Sequence, residues 1–192
     1  MSEVRLELPT ARATRALGRR LGALLRGGDL LVLSGDLGAG KTTLTQALAD
    51  GLGVRGPVTS PTFVIARVHP SLVGGPALVH VDAYRLGDAL ELDDLDLDAD
   101  LEASVVVVEW GRGLVEHLAG ERLEVDLHRE DADALAAAGA DGGADGGSGA
   151  GGGADGGAGA DADAEGDEHR TAVLRGTGAR WADLEDQLSG SG

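Results

Sequence analysis

The sequence predicts a three-layer α/β domain with a mainly parallel sheet, and three observations carry that expectation. Short apolar runs of strand length alternate with longer segments whose apolar residues recur at helical spacing. One of the runs, Leu30–Leu33, leads straight into a glycine-rich turn and then into a helical pattern. Two others, Ala77–Val81 and Val105–Val108, each end in a carboxylate, Asp82 and Glu109.

Taken in order, Val4–Leu8 alternates as a short strand. Thr10 is placed to cap a helix that runs to about Arg26, with Ala13, Ala16, Leu17, Leu21, Leu24 and Leu25 as its apolar stripe. Leu30–Leu33 is a buried strand, and a helix from Lys41 to about Leu52 follows the turn, stopped by the glycines at 51 and 53. Pro57–Thr62 reads as a loop, Phe63–Val68 as a strand and Pro70–Pro76 as a turn. Ala77–Val81 is the next strand, Leu90–Leu101 a helical or turn-like segment, and Val105–Val108 a fully apolar strand. Gly113–Leu118 is expected to be a short helix and Leu123–Leu127 a half-exposed strand. Arg170–Arg175 and Ala179–Leu188 supply a last strand and a closing helix.

The chain has 192 residues, about one domain's worth, and no cysteine. Its N-terminal stretch lacks the pattern of a secretion signal, and no run approaches the roughly 18 apolar residues of a spanning helix. A cytoplasmic protein with no membrane partner is the expectation. The formal net charge is −17, but ten acidic residues and no basic ones lie in 131–168. The rest carries 23 acidic and 16 basic groups, a moderate excess that argues against charge-driven binding to a nucleic-acid backbone. Segment 131–168 is thirteen glycines, thirteen alanines, those ten acids, Leu135 and Ser148. It cannot bury enough apolar surface to offset the entropy of ordering it, so a disordered insertion is expected between the core, 1–130, and the closing elements, 169–192. Its place between the last two strands suggests a hairpin connection.

The chemistry concentrates in Gly35-Asp36-Leu37-Gly38-Ala39-Gly40-Lys41-Thr42, which fits G-x-x-x-x-G-K-[ST] with the strand before and helix after that the phosphate-binding P-loop requires. Glycines let successive N–H groups face the phosphates, and the helix start adds its positive dipole end. Asp36, Leu37, Gly38, Ala39, Gly40, Lys41, Thr42 and Thr43 are therefore the candidate nucleotide-binding residues. Lys41 is expected at the β- and γ-phosphates, Thr42 on Mg²⁺ and Thr43 at the α-phosphate. Lys41 is the sole lysine in the chain. There is no asparagine, which excludes the Asn-Lys-x-Asp motif that reads guanine and makes ATP the expected nucleotide.

A P-loop needs carboxylates for the metal and the attacking water. Asp82 and Glu109 stand at strand ends, where ligands gather in parallel sheets. One of them serves the metal and the other orients water; the sequence leaves the division open. Thr59-Ser60-Pro61-Thr62-Phe63 is either a switch-like loop over the γ-phosphate, through Ser60 and Thr62, or an ordinary turn into a strand. Arg85 is a candidate for phosphate charge or a surface residue, Trp110 a lid or a core aromatic, and His80 a strand residue that orients its neighbours.

Together, Gly35–Thr43, Ser60-Pro61-Thr62-Phe63, His80-Val81-Asp82-Ala83-Tyr84-Arg85 and Glu109-Trp110 resemble the motifs of the TsaE (YjeE) family, in order and spacing, from about Thr14 to Arg129. Arg170–Leu188 is similar to that family's closing strand and helix. The resemblance implies a P-loop NTPase fold and slow Mg-dependent ATP hydrolysis in service of the threonylcarbamoyl modification of adenosine 37 in tRNA. It implies work inside a complex with the TsaB and TsaD proteins, tRNA being contacted indirectly. On this pattern Lys41 and Thr42 serve phosphate and metal, Asp82 and Glu109 metal and water, and Ser60 and Thr62 the switch-like loop. The 131–168 insertion is a departure from the family pattern, and Gly111 stands where many members have proline. Two other readings of the residues are a small-molecule P-loop kinase and a nucleotide-gated protein-binding module.

Overall fold

A computed structural model of the chain describes residues 1–61, 65–86, 102–129 and 169–190. Its seven strands are β1 (Ser2–Leu8), β2 (Leu30–Gly35), β3 (Ala66–His69), β4 (Ala77–Asp82), β5 (Ser104–Glu109), β6 (Arg122–Arg129) and β7 (Arg170–Thr177). The helices are α1 (Ala11–Leu24), α2 (Lys41–Leu52) and α3 (Leu184–Ser189). All seven strands form one sheet in the order β1-β7-β6-β2-β5-β4-β3. The central run β6-β2-β5-β4 is parallel, whereas β3 against β4 and both β7 pairings are antiparallel. The parallel core matches the expectation. The edges differ because β3 returns to β4 through the short 70–76 connection, too short for a parallel crossover.

Burial on both faces explains why β2 and β5 read as continuous apolar runs. Leu31, Leu33, Val105 and Val107 pack against the helices, together with Leu17, Leu21, Leu44, Leu48, Trp181 and Leu184. Leu30, Val32, Val106 and Val108 face the other way, under Ile65, Ala83, Leu86, Val115 and Leu118. Among the described residues the three layers are therefore α1, α2 and α3, the sheet, and a far layer made chiefly of the 111–119 turns. Thr10 caps α1, its hydroxyl accepting from the Ala13 N–H at 3.1 Å. The face of α1 that turns inward is Thr14, Leu17, Gly18, Leu21 and Gly22. Ala16, placed in the stripe by periodicity, is exposed. Its neighbours matter more: at Gly22 a Cβ would lie 2.1 Å from the Leu48 carbonyl oxygen, so α1 and α2 touch backbone to backbone.

Several elements depart from the sequence reading. The strand expected over Phe63–Val68 begins at Ala66, because Ile65 sits at φ 68°, a left-handed backbone that no strand continues through. Phe63 lies outside the described residues, as does the Leu90–Leu101 segment. Gly113–Leu118 is not a helix but a pair of turns, with Gly113 at φ 81° and bonds from Leu114 and Leu118 back to Gly111 and Val115. The closing helix is broken at Asp183 (φ −107°, ψ 44°) into a 3-10 turn, Ala179–Trp181, and α3. Strand β6 is not half-exposed: it lies between β2 and β7, which buries Asp126 as well as Leu123, Val125 and Leu127. Its partner β7 pairs with it antiparallel, Arg129 opposite Arg170, so the 130–168 stretch joins two adjacent strand ends. That stretch is itself outside the described residues. No described helix is long and apolar enough to cross a membrane.

Candidate functional site

The site is built where β2 ends. Gly35 turns the chain at φ 138°, and a Cβ there would lie 2.3 Å from the Leu127 carbonyl oxygen of β6, so only glycine fits. Gly40 occupies the N-cap of α2 at φ 103° with no side-chain cap. Glycine at the N-cap offers the first N–H groups of α2 no side chain of its own, the arrangement that receives an anion at a helix start. A cavity of about 410 Å³ opens in front of them. Leu37, Gly38, Gly40, Lys41, Thr42 and Thr43 form one wall, and Ser60, Asp82, Glu109 and Trp110 face them.

Lys41 is buried at 5 % exposure. Its ammonium donates to the carbonyl oxygens of Gly35 (2.7 Å) and Asp36 (2.9 Å) and lies 3.8 Å from the centroid of the Trp110 ring. Burial pushes its pKa below the usual lysine value, opposed by the nearby charges of Glu109, Asp82 and Asp36. The two carboxylates are neighbours across the sheet: Asp82 pairs in register with Glu109, and Glu109 with Leu33. The parallel register therefore brings both strand-end acids beside the turn that follows β2.

Glu109 is almost fully buried at 2 % exposure. His80 Nε2, itself buried, lies 2.8 Å from its Oε1. The Thr42 hydroxyl donates to the same carboxylate at 3.2 and 3.3 Å, and Thr45 Oγ1 lies 3.4 Å away. Asp82 is held differently: Oδ2 accepts from Ser60 Oγ at 2.9 Å and Oδ1 from the Tyr84 N–H at 3.1 Å. Tyr84 leans on Trp110 with ring centroids 5.2 Å apart. Hydroxyl and carboxylate oxygens are hard donors, and Thr42 with Glu109 is the pair that would hold a divalent cation shared with phosphate oxygens and water. Among the described residues, no group of three or more acidic or histidine side chains could hold a metal unaided.

Ten sequence candidates, Leu37, Gly38, Gly40, Lys41, Thr42, Thr43, Ser60, Asp82, Glu109 and Trp110, thus line one cavity. Ala39 is buried beneath the turn, and Asp36 faces an adjoining cavity instead. Arg85 stands exposed on the 3-10 turn Ala83–Arg85 and is not in the cavity wall. Thr62 lies outside the described residues. Arg170, which no local motif announces, does line the cavity; its Nε would be 3.4 Å from a Cβ at Gly40. Nothing in the sequence around Arg170 signals this, because only the β6–β7 pairing carries it to the P-loop. Thr45 was equally invisible, whereas His80, read as a strand residue that orients its neighbours, contacts Glu109.

A family model described as threonylcarbamoyl adenosine biosynthesis protein TsaE matches residues 8–136. The chain belongs to the TsaE family. Its relatives include the tRNA threonylcarbamoyladenosine biosynthesis protein TsaE of Streptomyces coelicolor, 67 % identical over 120 residues, which span 62 % of this chain and 81 % of that one. The TsaE of Bacillus subtilis is 38 % identical over 134 residues, 69 % of this chain and 82 % of the relative. Among solved structures, that of Bacillus subtilis YdiB superposes with a TM-score of 0.65 at 27 % identity, covering 98 % of this chain and 95 % of the other. The TsaE family model ends at residue 136, just inside the glycine- and alanine-rich segment.

Proposed function

We propose that this TsaE-family protein is a Mg-dependent ATPase that serves the threonylcarbamoyl modification of adenosine 37 in tRNA, in complex with the TsaB and TsaD proteins. The observation that carries the enzymatic part is the meeting of the Thr42 hydroxyl and the Glu109 carboxylate at 3.2 Å beside an uncapped P-loop helix. The pathway follows from family membership and from the names its relatives bear. A protein partner at the site is supported by Leu37 and Tyr84, which stand 89 % and 64 % exposed at the cavity mouth. Apolar surface that stays exposed beside a polar cavity and is rimmed by polar residues is the kind that partners cover.

In this reading the P-loop N–H groups and Lys41 bind the β- and γ-phosphates, and Arg170 adds a second cation to the same wall. Thr42 and Glu109 would hold Mg²⁺, which when bound would neutralise charge on the phosphate oxygens. His80 keeps the Glu109 carboxylate turned toward Thr42. Asp82 holds Ser60 and is the carboxylate left to orient the attacking water. Water adds to the γ-phosphorus, the bond to the β–γ bridging oxygen breaks toward ADP, and the water's proton leaves with phosphate or to solvent. Trp110 covers Lys41 and limits water around it, which strengthens its field on the phosphates.

Phosphate release from Mg-ATP, measured for the protein alone and with TsaB and TsaD, tests the proposal. Slow release that rises with the partners supports it. Release indifferent to them overturns the partnership, and phosphate passed to a small acceptor instead of water overturns the hydrolase.

A further inference from the structure

Behind the P-loop lies a second cavity, about 370 Å³, lined among others by Asp36, Arg112, Asp126 and His128. Trp110 lines both cavities and so stands between them. On one side it lies over Lys41. Its backbone is left-handed, φ 63°, a conformation that surrounding contacts must maintain in a bulky residue. Its N–H is held by the Leu33 carbonyl at 2.9 Å. What holds the segment on the other side is ionic. Two residues after Trp110, the Arg112 guanidinium donates to Asp126 on β6, and Asp126 accepts from Arg175 on β7 with its other oxygen. Arg175 in turn donates to Glu3 on β1 at 2.6 Å. Asp126 is 4 % exposed, stands across from Ser34 in the β2–β6 register, and belongs to no nucleotide-binding motif.

We propose that Asp126 is a positioning residue: through Arg112 it fixes the Trp110 partition against Lys41 and so keeps the nucleotide cavity in its working shape. The chain Glu3–Arg175–Asp126–Arg112 ties the segment after Glu109 to the three strands at the far side of the sheet. Arg112 itself is half exposed, so without Asp126 it would swing to solvent. The indole would then be free to relax toward the second cavity. The proposal rests on the ATPase reading for its kinetic consequence but not for its structural one.

Arg112→Ala is the informative variant, because it breaks the tie while Asp126 keeps Arg175, and losing one charge-assisted bond should lower the melting temperature by no more than about 2–8 °C. The protein has two tryptophans, and Trp181 is fully buried, so acrylamide quenching of fluorescence reports mainly Trp110. Quenching measured without nucleotide should rise in Arg112→Ala and in Asp126→Asn. The kcat for ATP should fall roughly ten-fold with KM changed less, as for other supporting residues behind a site. Arg112→Lys, which keeps a cation opposite Asp126, should recover most of both signals. Unchanged quenching in Arg112→Ala, or no recovery in Arg112→Lys, overturns the proposal. A wild type that releases no phosphate would refute the ATPase reading alone, and the quenching arm would still decide this one.

Discussion

Replacing Glu109 by Gln probes the site at its centre, since the change keeps shape and removes one charge. In the folded protein this carboxylate takes contacts from His80 at 2.8 Å and Thr42 at 3.2 Å, and it supports the buried Lys41 ammonium by charge. A glutamine can still accept from one of those donors, but its NH₂ must turn toward the other. The stability loss is therefore that of a charge-assisted bond made neutral and partly mispaired, about 1–2 kcal/mol. For a domain of this size that is about 2–8 °C in melting temperature. The effect on chemistry is larger, because one preorganised charge lost from a closed site typically removes roughly 100- to 1,000-fold in kcat, about 2.7–4 kcal/mol. The assay pairs nucleotide binding by calorimetry with phosphate release under saturating ATP. Binding should survive while release collapses. Release within about three-fold of wild type would refute the role given to Glu109, since no electrostatic contribution of that size could then reside there.

Other consequences are separable. Gly22→Ala is expected to destabilise by about 1–3 kcal/mol despite alanine's better helix propensity, because the new methyl meets the Leu48 carbonyl at 2.1 Å; an unchanged thermal melt would mean that α1 and α2 can part freely. His69 has Nδ1 3.0 Å from the Arg55 carbonyl and a buried Nε2 with no partner among the described residues, and burial lowers its pKa below the usual histidine value. The unfolded chain therefore takes up the proton first as pH falls through about 6.5, and the folded protein loses stability there until its own lower value is reached. Denaturant titrations at falling pH should show wild type losing more stability than His69→Gln, and parallel curves would contradict this. Replacing 131–168 by a short turn between β6 and β7 should leave phosphate release unchanged and the melting temperature within about 2 °C; a large drop would mean that the segment packs on the core.

The legible parts of this protein were those encoded locally. Thr10 and the periodic leucines specify α1, the valines of β5 specify a strand buried on two sides, and the turn from Gly35 to Thr42 needs only its own glycines and the helix after it. The misreadings arose where a neighbour outweighs local pattern. Leucine and valine in Gly113–Leu118 suit a helix, but Gly113 at positive φ breaks it and tertiary contacts hold the turns. Alternation in β6 suggested one wet face, yet the pairing with β2 and β7 buries Asp126 between two arginines.

By itself, then, the sequence determined the strand–turn–helix that can cradle phosphate, the two strand-ending acids, and the four ordered segments that resemble TsaE. These are short-range patterns, set by backbone geometry and by side chains a few residues apart. The tertiary structure alone decided which acid meets Thr42, that His80 stands behind it, and that Arg170 reaches the cavity from the last strand. It also decided that Arg112 and Asp126 brace Trp110 from behind. Each of those depends on strand order and register, which join residues far apart in the chain, and no local spacing records a register.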